Sequence, residues 1–103
     1  MARGLSSATA LVLDALGRGC RHGFDILDVT GLPSGTVYPI LRRLEHDGLA
    51  RSQWEPARIA QQEQRPPRRY YVLSSDGEAL LEEARNRFPI LSALPARARP
   101  RRA

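Results

Sequence analysis

The sequence contains no lysine and one cysteine, and its aromatic residues are one tryptophan, three tyrosines and two phenylalanines. With Cys20 as the single thiol, an intramolecular disulfide and a multi-cysteine zinc site are both excluded. No apolar run approaches the ~20 residues that span a bilayer. The best candidate, Ala8 to Leu16, is broken by Asp14. The N-terminus lacks the charged, apolar and cleavage-site regions of a signal peptide. These absences predict a cytoplasmic protein with no membrane partner. Every basic residue is an arginine; a GC-rich genome alone produces that bias, so the choice carries little functional weight. Paired carboxylates, a nucleophile beside a base, a phosphate-binding glycine loop and a metal-ligand set are also missing, so no enzyme, cofactor or metal is expected.

What is present fits one small domain. The chain has 103 residues, 42% of them hydrophobic and 26% charged, within the range of globular proteins. A chain of this size buries only roughly 60–65% of its unfolded surface, which leaves little room for a deep catalytic cleft. Association with a second copy would add stability.

The net charge of +5 points to a polyanionic partner, and its distribution says more than its total. Residues 1–41 are neutral. Residues 42–69 carry seven arginines against four acids, and residues 70–94 are acidic. Residues 95–103 add four arginines with two prolines and no large apolar side chain, the composition of a disordered tail.

Apolar spacing predicts a wide-faced amphipathic helix over Leu5–Leu16, ended by Gly17 and Gly19. A short second helix is expected over His22–Val29, with Phe24 and Leu27 as core contacts. A third begins at Ser34 as N-cap and runs to Asp47, where Gly48 stops it. Val37, Ile40, Leu41 and Leu44 form its buried face. The opposite arc holds Gly35, Pro39, Arg42, Arg43 and His46, with Thr36 and Tyr38 on the edges. Strands are predicted over Ala50–Trp54 and Arg69–Leu73, joined by a long polar loop as a hairpin with an extended tip. Ser75-Asp76-Gly77-Glu78 reads as a capping box opening a last helix, which Pro89 ends near Phe88. The order is helix, helix, turn, helix, strand, loop, strand, helix. The fold class is therefore α+β, mainly α: a winged helix-turn-helix of three helices, a two-stranded wing and a C-terminal helix. Residues 1–74 make the winged helix-turn-helix domain, 75–94 the C-terminal helix and 95–103 the tail.

Three ordered segments resemble the PadR family of bacterial transcriptional regulators. They are Arg21-His22-Gly23-Phe24-Asp25-Ile26-Leu27, Ser34-Gly35-Thr36-Val37-Tyr38-Pro39-Ile40-Leu41-Arg42-Arg43-Leu44-Glu45, and Pro66-Pro67-Arg68-Arg69-Tyr70-Tyr71-Val72-Leu73. The stretch from His22-Gly23 to Gly35-Thr36 is shorter than the family norm. The resemblance implies DNA contact by Tyr38 and Pro39, and dimerisation through the first and last helices. The dimer residues are then Leu5, Leu11, Leu13, Leu81, Phe88 and Leu91.

A recognition helix in the major groove needs short polar groups near its N-terminus and a long donor further along. Ser34, Thr36 and Tyr38 supply the first. Arg42 supplies the second, with a phosphate as the favoured target over guanine; Arg43 and His46 extend the basic arc. On the wing, Arg65, Arg68 and Arg69 are expected to follow the DNA backbone, and a cross-strand charge partner is the alternative for Arg69. Trp54 and Phe88 are expected in the core. The competing role for both is to line a pocket between subunits for a small aromatic effector, which the resemblance implies. Of Tyr70 and Tyr71, which alternate faces, one is expected inside and the other toward DNA. Cys20, His22 and Asp25 read as a turn rather than a metal site. The function that follows is a DNA-binding transcriptional regulator: a homodimeric repressor on a palindromic operator, associated with the nucleoid when DNA-bound. The alternative is a winged-helix module that binds a protein.

Overall fold

The computed structural model describes residues 5–93, so the tail read as disordered lies outside the described residues. The elements are α1 (Ser7–Gly17), α2 (Gly23–Thr30), α3 (Ser34–His46), β1 (Ala50–Trp54), α4 (Ala57–Gln62), β2 (Arg69–Leu73), α5 (Ser75–Arg87) and a 3-10 turn over Pro89–Ala93. The mainly helical winged fold and both strands are as the residue pattern predicts.

Helix α1 is the hub, packing on α2, α3 and α5. Ser6 caps it, its hydroxyl accepting the Thr9 amide at 3.1 Å. Val12, Leu13 and Ala15 are buried against Ile26 of α2 and Val37 and Leu41 of α3. The wide apolar arc of α1 thus makes it central within its own chain. Four of the six residues read as dimer contacts, Leu5, Leu13, Leu81 and Leu91, belong to this core. That corrects their role: a single chain already covers them. Leu11 and Phe88 are partly buried against it.

Asp14 is a buried acid on α1 and is fully paired. It accepts Arg18 Nε at 2.6 Å and Arg85 Nη2 of α5 at 3.1 Å. Arg18 also donates to the Leu91 carbonyl at 3.0 Å. One carboxylate so ties α1 to α5 and to the turn beyond it, where leaving it unpaired would be costly.

Two caps fall one residue earlier than predicted. Pro33 occupies the N-cap of α3 and places Ser34 at the first helical position. Ser74, not Ser75, caps α5 by accepting the Gly77 amide at 3.1 Å. The Ser74 hydroxyl also donates to the Gly48 carbonyl at 2.7 Å, which locks the start of α5 onto the turn between α3 and β1.

The wing is an antiparallel pair with Ala50 opposite Leu73 and Trp54 opposite Arg69. Its ladder continues through the Glu55 amide to the Arg68 carbonyl at 2.8 Å. A third edge comes from the start of α2: the Tyr71 amide donates to the Arg21 carbonyl at 2.6 Å, and His22 bridges to Tyr70. The expected extended tip is instead helical over α4. Pro56 presets the turn, and Ala57, Arg58, Ala60, Gln61 and Gln62 all have high helix propensity. Ala60 is buried beneath it.

Candidate nucleic-acid interface

Helix α3 turns Val37, Ile40, Leu41 and Leu44 into the core. Ser34, Gly35, Tyr38, Pro39, Arg42, Arg43 and His46 are exposed on its other side, and Thr36 is half-buried at the edge. The outward side carries hydroxyls at the N-terminus, then two guanidiniums, then an imidazole in the last turn. Pro39 sits inside the helix and removes only its own amide from the ladder.

Tyr38 is held in place from α2. A methyl at Gly23 would meet the Tyr38 hydroxyl and ring, with Cε1 at 2.5 Å. Gly23 is therefore a packing glycine that makes room for a ring on the recognition helix.

The wing arginines divide into distinct environments. Arg65 grips Glu55 through both terminal nitrogens, at 2.6 and 2.8 Å. The Glu55 side chain is fully buried and also receives the Tyr70 hydroxyl at 3.0 Å and the Arg68 amide at 3.3 Å. Arg65 is thus an internal strut of the wing, which corrects its reading as a backbone contact. Arg69 donates to Ser52 of the neighbouring strand at 2.9 Å and to Glu45 at 3.2 Å, so its charge partner comes from α3 and not from the facing strand. Its guanidinium also lies 5.3 Å from the Trp54 ring centre. Arg68 stands 6.0 Å from the Phe24 ring centre and 3.1 Å from His22 Nε2. Arg58, on α4, is exposed.

The aromatic assignments change most. Trp54 is 60% exposed and Phe24 67% exposed, so neither is a core residue. Ile26 takes the core position of α2 instead. Tyr70 stacks on His22 with centres 5.7 Å apart, its hydroxyl engaged by Glu55. Tyr71 packs against the core. Both tyrosines are half-buried, so the expected division between an inner and an outer ring does not occur.

His22 and Asp25 belong to the same polar network. His22 Nε2 lies 3.2 Å from an Asp25 carboxylate oxygen, and its Nδ1 is buried with no partner among the described residues. Burial pushes the imidazole pKa down. Burial also pushes the Cys20 thiol up to about 11, which makes it an inert core side chain. The Arg65 hydrogen bonds hold the Glu55 carboxyl down to about 2.

These shifts fix an acid response. A lowered carboxylate pKa stabilises the fold above the ordinary carboxylate range, and that contribution is lost as pH falls toward about 2. A lowered histidine pKa favours the neutral form, so protonation below the ordinary value of about 6.5 opposes folding. Urea midpoints should therefore fall with acid in two windows, one starting near pH ~6.5 and one below ~4.3. Glu55→Gln should shrink the lower window, leaving the part that Glu45 contributes, and retain the upper; a midpoint flat across both windows in the parent would refute the network's role.

The helices, the turn and the wing define a winged helix-turn-helix with a polar, arginine-bearing recognition helix. The model of the transcriptional regulator PadR-like family matches residues 12–83, and the chain belongs to that family. It is a DNA-binding transcriptional regulator rather than an enzyme. A PadR-like transcription factor from Bacteroides fragilis is similar at 28% identity and a TM-score of 0.65, over 82% of each chain. A PadR family transcription regulator from Clostridium difficile shares the fold at 22% identity and TM-score 0.70, over 85% of this chain and 93% of that one. Bordetella bronchiseptica BpsR shares it at 24% identity and TM-score 0.67, over 86% of this chain and 63% of that one. No curated protein matches the sequence. Among the described residues no helix is long and apolar enough to cross a membrane.

Proposed function

We propose that the protein is a cytoplasmic homodimeric repressor that occludes a promoter by binding a palindromic operator. The observation that carries this reading is the exposed arc of α3, where Ser34, Tyr38, Pro39, Arg42, Arg43 and His46, with half-buried Thr36 at the edge, stand opposite a buried face. In the major groove the hydroxyls meet base edges, and Arg42 and Arg43 reach phosphates that fix the register. Arg68 and Arg69 add backbone contacts from the wing. A two-fold dimer places its half-sites about one helical turn apart. The face for a second copy centres on α1 and the end of α5, where Leu11 and Phe88 are half-covered and Ile90 is 66% exposed. Helix α5 and the turn after it serve that contact; of the expected span 75–94, Leu94 lies outside the described residues. A small aromatic effector completes the reading, by analogy with BpsR, whose DNA binding is regulated by 6-hydroxynicotinic acid.

The test is an anisotropy titration with DNA from upstream of the gene, beside a scrambled duplex, both at ~150 mM salt because affinity depends steeply on salt. A gap of ~10³ or more between the two is expected. Footprinting then gives the half-site spacing, and sedimentation gives the dimer. Equal weak binding to every promoter fragment would overturn the reading.

A further inference from the structure

Three of the five large apolar side chains exposed among the described residues, Phe24, Tyr38 and Trp54, lie in one place. They line a cleft of about 450 Å³ between the start of α2, the recognition helix and the wing. Pro66, Pro67 and Tyr71 continue its walls, together with Arg65, Arg68 and Arg69; no acidic residue lines it. Exposed aromatic rings are unfavourable in water, and a core role does not explain these. Two of them carry a guanidinium instead. Arg68 lies over Phe24 and Arg69 over Trp54, each within cation–π range. A guanidinium held against a ring loses little freedom on meeting an anion.

We infer that this cleft seats the sugar–phosphate backbone of one DNA strand. Arg68 and Arg69 take phosphates, while Phe24 and Trp54 pack on the deoxyribose rings between them. The inference rests on the DNA-binding reading and extends it to two residues outside the recognition helix and the arginine motif. Charge complementarity selects the occupant. The nearest acids are already engaged, Glu55 by Arg65 and Glu45 by Arg69, so the lining offers guanidiniums, aromatic and apolar faces and the His22 imidazole, and no carboxylate. Continuity selects DNA over other polyanions: Tyr38 belongs both to the cleft and to the helix that enters the major groove. A strand bordering that groove passes the cleft.

Trp54 is the only tryptophan, so its emission reports on the cleft directly in the unmodified protein. The experiment titrates the full chain with the tightest-binding duplex from the anisotropy series and follows Trp54 emission and its quenching by acrylamide. DNA should quench the emission and cut the acrylamide quenching constant at least about twofold. Trp54→Ala and Phe24→Ala should each weaken binding about fivefold, the scale of one lost aromatic packing contact, with an unchanged salt slope. Both side chains are exposed, and circular dichroism verifies that the variants fold. Anisotropy that reports binding while Trp54 stays equally accessible overturns the cleft assignment and leaves the DNA-binding reading intact. Anisotropy that never changes overturns the DNA-binding reading itself. Quenching by 4-hydroxybenzoate or AMP, with none by DNA, assigns the cleft to a small ligand and overturns the proposal.

Discussion

Gly77→Ala should destabilise the protein by about 3 kcal/mol or more, as severe overpacking does. For a domain of this size that is a Tm loss of roughly 12–24 °C. The cause is not backbone conformation, because Gly77 is absent from the glycines with positive φ. It is approach: a Cβ there would collide with the Leu49 carbonyl oxygen, with the carbonyl carbon at 3.0 Å and Leu73 Cδ2 at 3.1 Å. The oxygen is part of the backbone and is already bound, since it accepts the Ser74 amide at 3.0 Å. It cannot swing aside without breaking the Ser74 lock that joins α5 to the turn before β1. Helix α5 would have to lift off, and the Asp14–Arg85 pair and the buried Leu81 and Ala84 would lift with it. Gly35→Ala is the control. An added methyl there meets nothing within 4 Å, and alanine is the better helix former by up to about 1 kcal/mol. Thermal unfolding of both variants decides the matter. A Gly77→Ala protein melting within about 2 °C of the parent would show that α5 is not anchored as the structure has it.

Elements carried by period and by punctuation were legible in the sequence. The apolar stripe of α3, the β-branched and aromatic run of β2 and the stop at Pro89 all depend on local chemistry. So does the exposed arc of α3, because a helix with one apolar stripe has only one outward side. Choices between neighbours in space were not legible. Ser74 and Ser75 are both competent caps; Gly48 and Leu49, distant in sequence, decide for Ser74. Phe24 reads as core by type, yet Ile26 occupies that place and Phe24 faces out. Wing arginines look alike in a sequence, and only the fold brings Glu55 against Arg65 and Trp54 beneath Arg69. Pro56 followed by Ala-Arg-Ile-Ala-Gln-Gln has the composition of a helix start, and the tip is helical.

The sharpest functional contrast is between arginines that a sequence alone would group together. Arg42→Ala should weaken binding to operator and scrambled duplex alike, by about 10-fold or more. It should also make the slope of log K against log salt shallower by about one, the signature of one lost phosphate contact. Arg42 is exposed on the outer arc of α3, so the loss should leave Tm unchanged. If Arg42 instead read guanine, discrimination between the two duplexes would collapse while the slope held. Arg65→Ala should do the reverse. Its guanidinium grips the buried Glu55, so removing it leaves a carboxylate enclosed with only Tyr70 and the Arg68 amide as partners. The wing should loosen and Tm should fall. The salt slope should stay within about 0.3 of the parent, because no phosphate contact is removed. Matched titrations at several salt concentrations, beside thermal melts, separate the two roles. A slope lowered equally by both substitutions would place Arg65 on the DNA and refute the division between strut and contact.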